Sequence, residues 1–162
     1  MPGTKIISNS SLKRKIMRLK QAGKRVVFTN GCFDILHYGH IKYLQDARRK
    51  GDLLVVAVNS DSSIKKIKAK NRPVIGQSDR LKTLAALACV DFVVLFNENN
   101  PLRLIKALKP DVLIKGADWK KNKIIGADFV TGYGGKVLTV NLVKGRSTSA
   151  IIEKIVRDFS KK

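Results

Sequence analysis

The chain has 162 residues, 33 of them Lys or Arg against 12 Asp or Glu, which gives a formal net charge of +21. Apolar residues make up 44%, enough at this length for a real core, and that excludes a disordered tail or a collagen-like rod. No apolar run nears the roughly 20 residues of a membrane span, the opening MPGTKIISNS is no secretory signal, and Cys32 and Cys89 form neither a disulfide framework nor a zinc cluster. A cytoplasmic protein is the expectation.

In chain order, a helix is expected from Ser10 or Ser11 to Lys20, with Leu12, Ile16 and Leu19 on one stripe and Gly23 as its stop. The β-branched Arg25–Thr29 predicts a strand. Helical spacing of Ile41, Leu44 and Ala47 predicts a helix over 39–50, and the run Leu53–Val58 a strand covered on both faces. A short basic segment, Ile64 to Lys70, follows. Ser78 opens a helix to Cys89, with Leu81, Leu84, Ala85 and Ala88 as its buried stripe. Strands at 92–95, 112–115 and 136–140 alternate with helices at 101–108, 124–132 and 147–159. This alternation predicts one α/β domain over 1–162, an open five-stranded parallel sheet with helices on both faces. Residues 1–23 form a basic helix packed upon it. Ligands in such sheets sit beyond the carboxyl ends of the strands, so the loops starting at 30, 59, 96, 116 and 141 are the ones to search.

The stretch Thr29-Asn-Gly-Cys-Phe-Asp-Ile-Leu-His-Tyr-Gly-His40 contains both histidines of the chain, His37 and His40. Three-residue spacing at the mouth of a helix puts both imidazoles on one side, beside backbone N–H groups that favour anions. Gly31 and Gly39 admit close approach of a ligand. Two imidazoles there can donate to a phosphate whose charge rises in a transition state. A metal pair is the other use of such spacing, but no carboxylate or cysteine cluster completes it. Cys32 lacks the orienting acid of a cysteine nucleophile.

Thr29–Asp34 followed by His37-Tyr-Gly-His40 resembles the HxGH nucleotidyltransferases, the group that includes glycerol-3-phosphate cytidylyltransferase and pantetheine-phosphate adenylyltransferase. The resemblance runs on through Val58–Asp61, Arg72–Val74, Arg80, Val90-Asp91, Lys115–Asp118 and Gly145–Ser149, covering about residues 24–156. Together these segments are most similar to the heptose 1-phosphate adenylyltransferase branch, whose relatives carry a sugar-kinase domain that this chain lacks. A stand-alone transferase is therefore expected. Leu142, where the glycerol-phosphate enzymes carry arginine, counts against that branch.

The resemblance implies a Rossmann-like fold and transfer of AMP from ATP to D-glycero-D-manno-heptose 1-phosphate, giving ADP-heptose and pyrophosphate for lipopolysaccharide core synthesis. It implies His37, His40, Lys68 and Arg146 as catalytic residues. Thr29, Asn30, Gly31, Cys32, Phe33, Gly39, Lys115, Gly116, Ala117, Asp118, Ser147 and Thr148 would join His37, His40 and Arg146 around the nucleotide. Asp34, Asn59, Asp61, Lys65, Arg72 and Arg80 would meet the sugar phosphate. Asp34 could instead order its loop, and Arg80 could pair structurally with a carboxylate. Mg²⁺ would enter with ATP, needing no dedicated protein cage. The implied partners are ATP, a sugar 1-phosphate and a second copy of the chain, with neither nucleic acid nor membrane. CTP-dependent transfer to glycerol 3-phosphate or another alcohol phosphate is the alternative within the family. A basic nucleic-acid-binding module is the alternative from another class. The basic excess is spread along the chain and aromatics are only 6%, which is thin for stacking bases.

Overall fold

The structure, a computed structural model, describes residues 5–68 and 71–160. Residues 1–4 of the expected N-terminal segment, and Ala69 and Lys70 at the end of the expected basic segment, lie outside the described residues.

Five parallel strands form the centre: β1 (Val26–Gly31), β2 (Leu53–Asn59), β3 (Phe92–Phe96), β4 (Val112–Gly116) and β5 (Lys136–Val140). Their spatial order is β3-β2-β1-β4-β5. Strand order reverses at β1, so the crevice between the carboxyl ends of β1 and β4 is the switch point.

Alternation along each strand explains the two cores. In β2, Val55 and Ala57 join Val26, Phe28 and Leu113 on one face, covered by α1 (Asn9–Gln21), α5 (Leu102–Leu108) and α6 (Ala127–Gly132). Leu54, Val56 and Val58 face the other way, with Val27 and Ile114, under α2 (Tyr38–Arg48) and α4 (Gln77–Ala86). Helices thus lie on both faces, as a parallel sheet requires. Ile6 bridges to Val93 in parallel, shielding part of the edge strand β3.

Several element ends differ from the sequence expectation. Helix α1 is capped by Ser8, whose hydroxyl accepts from the Ser11 amide, rather than by Ser10 or Ser11. Helix α4 stops at Ala86 rather than Cys89, because Asp91 docks both ways on Leu54: its carboxylate accepts from the Leu54 amide and its own amide donates to the Leu54 carbonyl. Leu87 turns extended to reach that anchor, and Ala88 is exposed instead of buried. Residues Asp61–Ile67 form a short helix, α3, capped by Ser60. Gly126, at φ +87°, delays α6 to Ala127, while Ile124 is already in the core. The last helix, α7 (Thr148–Phe159), is capped by Ser147 and buries none of its residues.

Candidate active site

At the carboxyl ends of the strands two joined chambers open, of about 380 and 550 Å³. They share a wall of Asn30 and Gly31 from the end of β1 and Cys32 and Phe33 from the loop after it, together with His40, Lys68, Lys115, Trp119, Ser147 and Thr148. The first chamber adds His37, Gly39, Tyr43, Gly116, Asp118, Leu142, Val143 and Arg146. The second adds Asp34, Asn59, Arg72, Asn99, Asn100 and Ile125, among others.

His37 sits at the N-cap of α2 yet makes no capping hydrogen bond with its side chain; its carbonyl takes the His40 amide instead. The ring is free for other work. It stacks on His40 with centroids 4.0 Å apart and planes 28° from parallel. Phe33, held in the left-handed region at φ 47°, tilts against the far side of His40 at 5.4 Å. Gly39 makes the stack possible: a Cβ there would lie 2.9 Å from the His37 ring and 3.2 Å from Arg146 Cβ. Gly31 does the same for Phe33, whose ring edge would meet a Cβ at 3.0 Å.

Burial lowers the pKa of His37, with Arg146 adding to the shift, and takes that of His40 down to about 4, with His37 adding to the shift. Both rings are neutral at pH 7. The Nδ1 atoms of both are buried without a partner, which leaves Nε2 as the nitrogen each can offer a ligand. Asn30 Oδ1 is orphaned in the same way.

Lys115 leaves the end of β4 and donates to the Asn30 carbonyl at 3.0 Å, tying β4 to the loop after β1 across the switch point. Burial pulls its ammonium down to about 8, although Cys32 and Asp118 oppose the shift. Lys68 and Arg146 are exposed cations on the cavity wall. Thr148 Oγ1 donates to the Ile35 carbonyl at 3.3 Å, fastening the start of α7 to the histidine loop.

Other expected site residues are placed as braces. Thr29 is fully buried, its hydroxyl 2.7 Å from Tyr43 Oη and donating to the Ile114 carbonyl; it lines neither chamber. Arg80, expected at the sugar phosphate, is 1% exposed and spends four of its five N–H donors inside the protein, on the carbonyls of Cys32, Asn59 and Ile75 and on Asp61 Oδ1. Its side chain is 0% exposed and lines neither chamber, so it pairs structurally and does not reach a ligand. Asp61, also expected at the sugar phosphate, is spent on Arg80 and on the Gln77 amide. Asp34 accepts from the amides of Val74 and Ile75 and pairs with Arg72 at 2.7 Å, so it orders the loop around residue 74. Lys65 and Ala117 are exposed and outside both chambers.

Tyr43, Val143, Asn99 and Asn100 carry no chemical signal in the sequence, and Leu142 stands out only as a departure from the glycerol-phosphate pattern. Only topology, which sets the loop after β3 at the same end of the sheet as the loop after β1, brings Asn99 and Asn100 to the site.

A family model described as cytidylyltransferase-like matches residues 28–157. Among curated proteins, the bifunctional protein HldE of Syntrophotalea carbinolica is 52% identical over 94% of this chain, and that of Geotalea uraniireducens 54% identical over 93%. The chain spans only 31% of the length of each. Among solved structures, the lipopolysaccharide core biosynthesis protein from Thermoplasma volcanium superposes with a TM-score of 0.61 at 31% identity, over 76% of this chain and all of that one. Pantothenate synthetase from Thermus thermophilus also reaches 0.61, at 17% identity over 86% of this chain and 62% of its own, a likeness of fold alone.

Proposed function

This chain belongs to the cytidylyltransferase-like family, and we propose that it transfers the adenylyl group of ATP to D-glycero-D-manno-heptose 1-phosphate, releasing pyrophosphate. The observation that carries this reading is the stacked, neutral His37–His40 pair facing a two-chambered cavity at the switch point. By resemblance, Arg72–Val74 and Lys115-Gly116 favour the heptose, and the HldE relatives support that reading.

The reaction needs little covalent chemistry from the protein. An oxygen of the sugar phosphate attacks the α-phosphorus in line, the bond to the β-phosphate breaks, and pyrophosphate carries away the electron pair. Catalysis is then positioning and charge stabilisation. The first chamber takes the nucleotide, with Leu142 and Val143 as its apolar wall and Asp118 opposite. The second takes the sugar. His37 and His40 donate from Nε2 to the triphosphate, while Lys68, Lys115 and Arg146 gather the charge that leaves with pyrophosphate. Because both rings are neutral beforehand, they add hydrogen bonds without repelling the neighbouring cations.

Among the described residues no group of three His, Cys, Asp or Glu is placed to hold a metal. Mg²⁺ would enter with ATP, held by phosphate oxygens and water, and would neutralise part of the triphosphate charge.

The test is pyrophosphate release from ATP, CTP, GTP and UTP against a panel of sugar 1-phosphates and polyol phosphates. ATP with the heptose phosphate should be the best pair; no release with any pair would contradict the proposal. His37→Ala and His40→Ala should each lower turnover by at least about 10²-fold.

A further inference from the structure

The second chamber holds a set of groups that the transfer chemistry does not use, and their hydrogen-bonding state can be counted atom by atom. Its carboxylate, Asp34, is already occupied by two backbone amides and Arg72. Its side chain is only 1% exposed, which keeps it from sugar hydroxyls. Beyond Asn30 of the shared wall, three carboxamides remain. Asn59 donates its amide to Ser63 Oγ at 3.0 Å and keeps its carbonyl oxygen. Asn100 uses its oxygen to cap the Leu102 amide at 3.1 Å and keeps its amide donors. Asn99 has both ends free among the described residues, is exposed, and lines the chamber in the loop between β3 and α5.

The apolar part of the wall is equally specific in kind. Trp119 is 45% exposed and Ile125 41%, and both line this chamber. An aromatic face and a branched aliphatic surface beside free carboxamides match a pyranose, which offers C–H patches between hydroxyls. A carboxamide can donate to one hydroxyl and accept from its neighbour, so it suits a vicinal diol. Asn99 and Asn100 line the second chamber only, whereas His37 lines the first only and His40 belongs to the shared wall. A sugar 1-phosphate with its phosphate at the shared wall therefore turns its far hydroxyls toward Asn99 and Asn100.

We propose that Asn99, backed by Asn100 and the Trp119 face, is the specificity-determining group of the acceptor chamber and reads the hydroxyls of the sugar remote from the phosphate. Resting on the adenylyl-transfer reading above, this assigns sugar selection to the loop after β3. A heptose carries a glycol at its exocyclic end where a hexose carries one hydroxyl. Losing the carboxamide removes the contact that separates the two.

The experiment measures kcat and KM with ATP for heptose 1-phosphate and for mannose 1-phosphate, in the wild type, Asn99→Ala and Asn99→Asp. Asn99 has no partner to lose, so both variants should fold. For Asn99→Ala the expected result is a fall of about tenfold or more in kcat/KM for the heptose phosphate, carried by KM. The heptose-to-mannose preference should shrink several-fold, while KM for ATP stays within about twofold. Asn99→Asp, which keeps an acceptor and loses the donor, should fall between. An unchanged preference ratio in both variants, or an equal loss toward ATP, would overturn this assignment while leaving adenylyl transfer standing. Absence of wild-type turnover with either sugar phosphate would overturn the functional reading and this assignment with it.

Discussion

Lys115 and His40 are the two side chains whose charge the fold alters most clearly within the cavity. Burial takes the Lys115 ammonium to about 8. Below that pH it is a cation available to the triphosphate, and above it the free enzyme loses that charge. The expected outcome is a kcat/KM for ATP that falls as pH rises through about 8, approaching tenfold per unit. Lys115→Arg, which stays charged, should remove that limb. A wild-type profile flat well above this pH would contradict the role. His40 acts at the other end of the scale. Its pKa falls from 6.5 to about 4 because burial, and then His37, disfavours its charged form. Between those two values the unfolded chain binds the proton and the native state does not. Stability should therefore drop as pH falls through that window, by up to about 3 kcal/mol, and level off below it. His40→Gln should flatten the slope, as read from urea midpoints across pH.

At the scale of elements, Arg80 shows how a loop-rich site is kept rigid. One guanidinium on α4 holds the carbonyls of Cys32 after β1, Asn59 at the end of β2 and Ile75, and the carboxylate of Asp61 at the start of α3. Arg80→Met strands Asp61 and three carbonyls and should cost about 3–5 kcal/mol in chemical unfolding. A variant of native stability whose only defect is a raised KM for the acceptor would contradict the bracing role. The sequence made this element legible only in part. Period and apolar runs placed all five strands and, Ala88 excepted, the stripe of α4, because a buried parallel sheet writes its core directly into β2. Motif order placed His37, His40, Lys115 and Arg146 in one cavity. It did not separate Arg80, Asp61 and Thr29 from ligand-binding neighbours, since a polar side chain near a site reads alike whether it faces inward or outward. Only the count of hydrogen bonds tells them apart. Helix α7 is the converse case: its sequence is strongly amphipathic, yet Ile155, Val156 and Phe159 are 50%, 56% and 79% exposed. With no buried side chain beyond its Ser147–Thr148 anchor, its amides should exchange much faster than those of β1 and β2. Equal protection would contradict that anchoring.

For the whole molecule, the +21 charge divides by location. Lys68, Arg72, Lys115 and Arg146 line the cavity at the carboxyl ends of the strands. The exposed Lys13, Arg14, Lys15 and Arg18 lie on α1, which feeds into the opposite, amino end of β1. Added salt should raise KM for ATP by screening the first group. No helix among the described residues is long and apolar enough to cross a membrane. What unites the fold is a parallel sheet whose switch point gathers neutral histidines, buried and exposed cations and two chambers of different lining. The most direct test is to incubate the protein with Mg²⁺, heptose 1-phosphate and ATP labelled at its α-phosphorus, and to follow the label. The account predicts that it appears in a sugar nucleotide, one label for each pyrophosphate released. Label confined to ATP, or lost to AMP without a sugar nucleotide, would contradict it.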